Sequence, residues 1–185
     1  VTVALAAPAP LHDGELALLP PGTDVAALMV AASNDREVTR WTQVPEGLTL
    51  RDAGLVTAGW SMPSSTIARF VVSHPDTGVA GMVTVWVNSS DEAEVGYWLL
   101  AHARGRGIAR RAVQRLCAWA FEVGGAERLQ LTTLPGNVAS ERVAAACGFS
   151  RDGTLVRDVK GESRTLSLWH RQAGAATVVD RVSAR

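Results

Sequence analysis

The chain has 185 residues, its 18 basic side chains balance its 18 acidic ones, and 47% of its residues are hydrophobic. Those numbers fit one soluble domain with its own core, and a formal charge of zero argues against duplex nucleic acid as a partner. No apolar run is long enough to span a bilayer, and the two cysteines and four histidines show no metal-ligand spacing. Neither a membrane partner nor a metal is therefore expected, and the cytoplasm is the expected compartment. Cys117 and Cys147 both sit at apolar positions and read as core thiols.

In chain order, one domain is expected over residues 14–172, with 1–13 and 173–185 as tails. "GELALLP" (14–20) reads as a short strand stopped by Pro20–Pro21. Thr23 or Asp24 can cap a helix through "VAALMVAA", after which Asp35 opens a polar break. Thr49, with Asp52 three residues on, starts a helix that runs to about Trp60. A β-meander follows: "TIARFVVS" (66–73), a turn at "HPDTG", "VAGMVTVWV" (79–87), and "AEVGYWLL" (93–100). Alternation in the third strand puts Glu94, Gly96, Trp98 and Leu100 on one face and Val95, Tyr97 and Leu99 on the other.

From Gly107 the apolar period becomes helical, with Ile108, Ala112, Leu116 and Ala120 in one stripe and Gly124–Gly125 at the end. "RLQLTTL" (128–134) is a strand, Asn137 caps a helix reaching Cys147, and strands at 153–159 and 164–171 flank a turn at Gly161. Trp119, Phe149 and Trp169 suit the core. Trp41 and Trp60 suit either the core or the wall of an acceptor pocket.

The segment joining the third strand to its helix, "AHARGRG", asks for a separate reason. Amides at a helix N-terminus have no helical acceptor, and the helix dipole favours an anion there. Glycines let a diphosphate come close to those amides, although a plain solvated basic turn would look alike. A P-loop is excluded because no Gly-Lys-Ser/Thr follows a glycine at the required spacing. A dinucleotide fingerprint fails because Arg110 stands where its third glycine belongs.

The joint pattern "EVGYWLLAHARGRGIARRA", a strand, then "NVASERVAAACGF", resembles the GNAT superfamily of acyl-CoA-dependent N-acyltransferases, and within it the RimJ/RimL-like ribosomal-protein N-terminal acetyltransferases. The family's Gln/Arg-x-x-Gly-x-Gly/Ala loop is matched by Arg104, Gly107 and Ala109. The resemblance is strong over 93–149, fair over 14–92, and does not reach the tails. It implies an α+β acyltransferase fold, a mixed but mostly antiparallel sheet of six or seven strands with about four helices. It implies acetyl-CoA as acyl donor, no metal, and a primary amine as acceptor, either a protein N-terminus or a small molecule. It leaves a homodimer open.

Residue by residue, the resemblance places the pantetheine arm along Trp98, Leu99 and Leu100. It places the pyrophosphate on the amides of Arg104, Gly105, Arg106, Gly107, Ile108 and Ala109, with Asn137 near the pantetheine. Asn137 also suits a simple helix cap. Glu94 matches a position that carries the catalytic carboxylate, with Glu92 and Asp91 as alternatives. Many members have a tyrosine seven residues after the asparagine, where this chain has Ala144; Ser140 is then the candidate partner of the departing sulfur, or merely a first-turn serine. Two other readings stay open: a non-catalytic acyl-CoA-binding or sensor domain, and an aminoglycoside-type antibiotic N-acetyltransferase served by acids in "NSSDEAE".

Overall fold

A computed structural model describes residues 3–5, 9–89 and 91–174. Alternating apolar residues in the centre of the chain build a single 8-stranded sheet. Its strands are β1 (Leu11–Asp13), β2 (Leu16–Leu19), β3 (Ile67–His74), β4 (Gly78–Val87), β5 (Glu92–Leu99), β6 (Arg128–Thr133), β7 (Ser150–Val159) and β8 (Glu162–Gln172). The helices are α1 (Val25–Ser33), α2 (Arg36–Trp41), α3 (Leu50–Thr57), α4 (Ile108–Glu122) and α5 (Val138–Ala146), with one 3-10 turn at Ala101–Ala103. The strand order is β1-β2-β3-β4-β5-β6-β8-β7, and β5–β6 is the one parallel pair in it.

Two departures from the sequence reading have clear causes. Residues 1–13 were expected as a tail, yet Val3, Leu5 and Leu11 are buried and β1 forms a hairpin with β2. Gly14, at φ 55°, makes that turn, so the eighth strand comes from the supposed tail. The polar break at Asp35 is instead the start of α2, because Asp35 caps the amides of Glu37 and Val38. Of the other expected tail, 173–185, the residues from 175 onward lie outside the described ones. The Thr49–Asp52 capping box is present at the start of α3.

The sheet has a core on each face. Phe70, Val83, Val85, Val95 and Leu99 face the apolar stripe of α4, where Phe70 meets Trp119 edge-on at 5.5 Å. Met82 packs with α1, α2 and α3 on the opposite face, with Val71 and Trp98 against it. Cys117 and Cys147 are buried free thiols in the first core, and burial pushes both up to about 12.

Gly81 sets the spacing of β4 and β5. A Cβ there would stand 2.1 Å from the Trp98 carbonyl oxygen and 2.8 Å from the Leu99 Cα, both backbone atoms that cannot swing aside. Gly81→Ala must therefore push β5 away from β4. We expect it to cost about 1–3 kcal/mol by chemical denaturation, whereas an unchanged midpoint would show that the strands have slack.

Candidate active site

β5 and β6 begin as neighbours and then part. Their parallel pairing covers Glu92, Ala93 and Glu94 of β5 opposite Arg128, Leu129 and Gln130 of β6, and goes no further. β5 nevertheless stays paired with β4 through Leu99, and β6 with β8 through Thr133. The inner edges beyond Glu94 and Gln130 are thus open to each other. The Leu100 N–H bonds to the Ala80 carbonyl, and the Trp98 carbonyl also faces β4 at Gly81. By strand alternation the main chain of Val95, Tyr97 and Leu99 faces the gap. Of the three residues expected along the pantetheine arm, Leu99 turns its main chain to the gap, whereas Trp98 and Leu100 turn theirs to β4 and Leu100 packs against the α1–α3 core.

The gap leads to the loop that precedes α4. Gly105 and Gly107 take left-handed φ values of 74° and 75°, and a Cβ at either would meet nothing within 4 Å. The first bond of α4 runs from Arg111 N–H to the Gly107 carbonyl. The amides of Ile108, Ala109 and Arg110 therefore have no helical acceptor and sit at the positive end of the helix dipole. Gly105, Gly107, Ile108 and Ala109 line the same cavity as the gap, while Arg106 is exposed and is not among its lining residues.

The Arg104 amide, expected on the pyrophosphate, donates to the Ala101 carbonyl at 3.3 Å, and the side chain has a task of its own. Its guanidinium donates to the Leu99 carbonyl at 3.0 and 2.8 Å and pairs with Asp35 at 2.7 Å. Asp35 also accepts the Ala101 N–H at 3.0 Å while capping α2. Burial alone would raise the Asp35 pKa, but Arg104 and the amides of Val38 and Ala101 outweigh it and hold the carboxyl below its ordinary value. One carboxylate thus ties the loop, the end of β5 and α2 together.

Glu94 stands where the strands part and is 1% exposed. Arg157, from β7, donates to both of its oxygens at 2.8 Å. Gln130 donates to Oε2 and Thr132 to Oε1, each at 3.0 Å. Each oxygen thus accepts at least two donors. The role expected of Glu94, proton acceptor for the amine, needs a lone pair free to face that amine. The room expected beside Gly96 is taken by Trp86, whose ring would lie 3.0 Å from a Cβ there. The alternatives fare differently: Glu92 pairs with Arg128 at 3.1 Å, Asp91 accepts from Ser89, and neither lines the cavity.

Asn137 caps α5 by accepting the Ser140 N–H at 3.1 Å, and it also lines the cavity. The Ser140 hydroxyl lies 2.9 Å from the Tyr97 hydroxyl, a partner the sequence reading left without a role. Burial pushes the Tyr97 phenol up to about 12, against the opposing effect of Ser140. Ala144 is fully buried, so the tyrosine common at that position has no room here. Tyr97 instead brings a phenol to Ser140 from the strand. Its place beside Val95 and Leu99 was readable from alternation; its contact with Ser140, 43 positions away, was not.

Gap, loop and the sheet face under α1–α3 form one cavity of about 880 Å³. Trp41 and Trp60 both line it, so they belong to its wall. Among the described residues there is no cluster suited to a metal ion, and no helix is long and apolar enough to cross a membrane.

A sequence profile of the acetyltransferase (GNAT) domain matches residues 15–150. The chain belongs to the GNAT acetyltransferase family. A Bacillus subtilis (strain 168) protein provisionally named as the ribosomal N-acetyltransferase YdaF is 29% identical over 106 residues, which span 52% of this chain and 57% of that protein. RimJ of Mycobacterium smegmatis, solved with a coenzyme A disulfide, superposes with a TM-score of 0.73 at 22% identity over 95% of this chain and 92% of its own. Spermidine N-acetyltransferase from Vibrio cholerae, solved with coenzyme A and spermine, gives 0.75 at 16% identity over 88% and 98%. Its curated relative is named for ribosomal proteins, and its fold is shared with an enzyme named for a small amine.

Because Glu94 is held by charge-assisted bonds in a buried setting, Glu94→Gln should lower stability as well as any turnover. We expect a loss of about 2–4 kcal/mol and a melting temperature lower by about 5–15 °C. A variant that melts with the native protein would show that these bonds add nothing to the fold.

Proposed function

We propose that the enzyme transfers an acetyl group from acetyl-CoA to a primary amine by direct attack of the amine on the thioester. The observation that carries this reading is the continuity of an open strand edge with a glycine-bearing helix N-terminus inside one cavity. Both parts suit this donor: the strand edge offers backbone groups to the amides of the pantetheine arm, and the loop amides suit a diphosphate. In this reading Val95, Tyr97 and Leu99 hold the arm by their main chain. Gly105, Gly107, Ile108 and Ala109 hold the pyrophosphate, with Arg110 at its edge.

The acetyl thioester supplies an activated acyl group, and the chain supplies its orientation and the proton inventory around it. Tyr97 and Ser140 form the donor pair for the leaving sulfur. At neutral pH a phenol near 12 keeps its proton, so it donates a hydrogen bond to the Ser140 hydroxyl and gives up no proton to a thiolate whose own pKa is near 8.5. Ser140, between phenol and sulfur, passes that polarisation on. Glu94 acts by position: it holds Arg157 at the acceptor side, the amine is taken as its free base, and the proton its nitrogen loses as the amide forms ends on the departing thiolate, giving the coenzyme A thiol. Asn137 acts through the cap that aims Ser140.

A sensor domain would keep the loop without this hydroxyl pair, so the pair favours catalysis. An aminoglycoside acceptor would want free carboxylates, yet Glu94 is neutralised by Arg157 and Asp91 and Glu92 face elsewhere. The acceptor is therefore a monoamine or a protein N-terminus in this reading, not a polycation.

Acetyl-CoA at a hundred times its dissociation constant should stabilise the protein by about 2.7 kcal/mol, a shift of several degrees. Gly107→Glu, which puts a charged side chain at a left-handed position under the diphosphate, should remove that shift. Ser140→Ala and Tyr97→Phe should each keep the shift and slow thiol release about 5–30-fold. A native protein that acetyl-CoA does not stabilise would refute the reading.

A further inference from the structure

The acceptor half of the cavity holds a cation that the chain leaves unmatched. Arg69 lies on β3, in register with Thr84 of β4 and, through it, with Gly96 of β5. Its guanidinium carbon stands 4.6 Å from the centre of the Trp60 ring. Two carboxylates line the cavity, and both are engaged elsewhere: Glu94 with Arg157, and Glu37 with the Trp41 indole N–H at 2.8 Å. Among the described residues Arg69 has no ion pair. Burial pulls its pKa down, as it does for a cation short of a counter-charge, but a guanidinium stays charged at neutral pH.

The walls around Arg69 are aromatic. Trp41, Trp60, Trp86 and Trp98 all line the cavity, and the Trp86 ring comes within 3.0 Å of where a Gly96 Cβ would stand. The cavity is also closed on one side. The Lys160 ammonium, at the β7–β8 turn, donates to the Thr39 carbonyl of α2, and the Gln43 amide donates to the Asp158 carbonyl at 3.3 Å. An acceptor that fits here is small, flat and of opposite charge to arginine.

Resting on the acetyltransferase reading, we propose that the acceptor is a small aromatic amine bearing a carboxylate, its ring held among the tryptophans and its carboxylate paired with Arg69. Three strands in register put the Arg69 Cα roughly 10 Å from that of Gly96. The amine has to reach the gap beside β5, so the carboxylate lies several bonds from the nitrogen rather than on the adjacent carbon. A planar carboxylate also suits the fork of a guanidinium already stacked on an indole. Polyamines lack the anion and meet Arg69 as a like charge.

The test uses 4-(aminomethyl)benzoate, benzylamine and spermidine as probes, titrated by calorimetry into the coenzyme A-saturated protein, where no acyl group can be transferred. The benzoate should bind about tenfold to a hundredfold more tightly than benzylamine, and spermidine should bind more weakly than either. The gap between benzoate and benzylamine should close in Arg69→Gln and largely persist in Arg69→Lys, each variant being checked for its acetyl-CoA melting shift. Equal affinity for the two ring amines, including no binding of either, overturns the proposal, as does a gap that survives Arg69→Gln. The acetyl-CoA shift of the native protein reports separately on the acetyltransferase reading.

Discussion

Every interior strand of a sheet needs partners for its main-chain groups on both edges, and β5 has them on both only as far as Glu94. Beyond that point the main chain of Tyr97 and the N–H of Leu99 turn into a cavity instead of into β6, while Arg104 takes the Leu99 carbonyl. A buried amide without a partner costs about 1–3 kcal/mol, so this arrangement persists only where the neighbouring structure imposes it. The rest of the molecule can be read as that imposition. β4 holds the outer edge of β5 at the close approach that Gly81 permits. β8 holds the far edge of β6, and α5 stands across the mouth of the gap with Ser140 against Tyr97.

Two carboxylates fix the ends of the opening. Glu94 closes the narrow end by binding Arg157, Gln130 and Thr132, which joins β5, β6 and β7 at the point where pairing stops. Asp35 fixes the wide end by binding Arg104 and the Ala101 amide while it caps α2. Arg104 in turn holds the Leu99 carbonyl, so the last residue of the open edge and the loop that follows it move as one piece. Because α2 also carries Trp41, the cavity wall is tied to the loop before α4 through a single side chain. In the proposed reading this sets donor and acceptor at a fixed distance, which is what a direct transfer between two bound molecules requires.

Local signals in the sequence carried most of the architecture. Alternation defined β3, β4 and β5, the glycine-bearing loop defined the start of α4, and the Thr49–Asp52 box defined α3, because each depends on residues close together in the chain. The same locality explains the losses. β1 is three residues long and holds a single apolar side chain, too little to show alternation. α2 is a six-residue helix with too few turns to show a period. The Glu94–Arg157 pair joins positions 63 apart, and Arg104–Asp35 crosses from a loop to a helix cap; neither leaves a mark in any local window. Strand alternation did place Tyr97 on the correct face, and applied to backbone direction rather than side chains it also separates Tyr97 and Leu99 from Trp98 and Leu100 in the gap.

That separation is the sharpest expression of the account, and amide hydrogen exchange reads it residue by residue. On adding acetyl-CoA, the amides of Tyr97 and Leu99 and those of Ile108 to Arg110 should slow, since they face the gap and the helix N-terminus. The amide of Leu100, already bonded to the Ala80 carbonyl, should exchange at the same rate with and without ligand. Protection that leaves Tyr97, Leu99 and the start of α4 unchanged while appearing elsewhere in the sheet would contradict the claim that the open edge of β5 is the donor site.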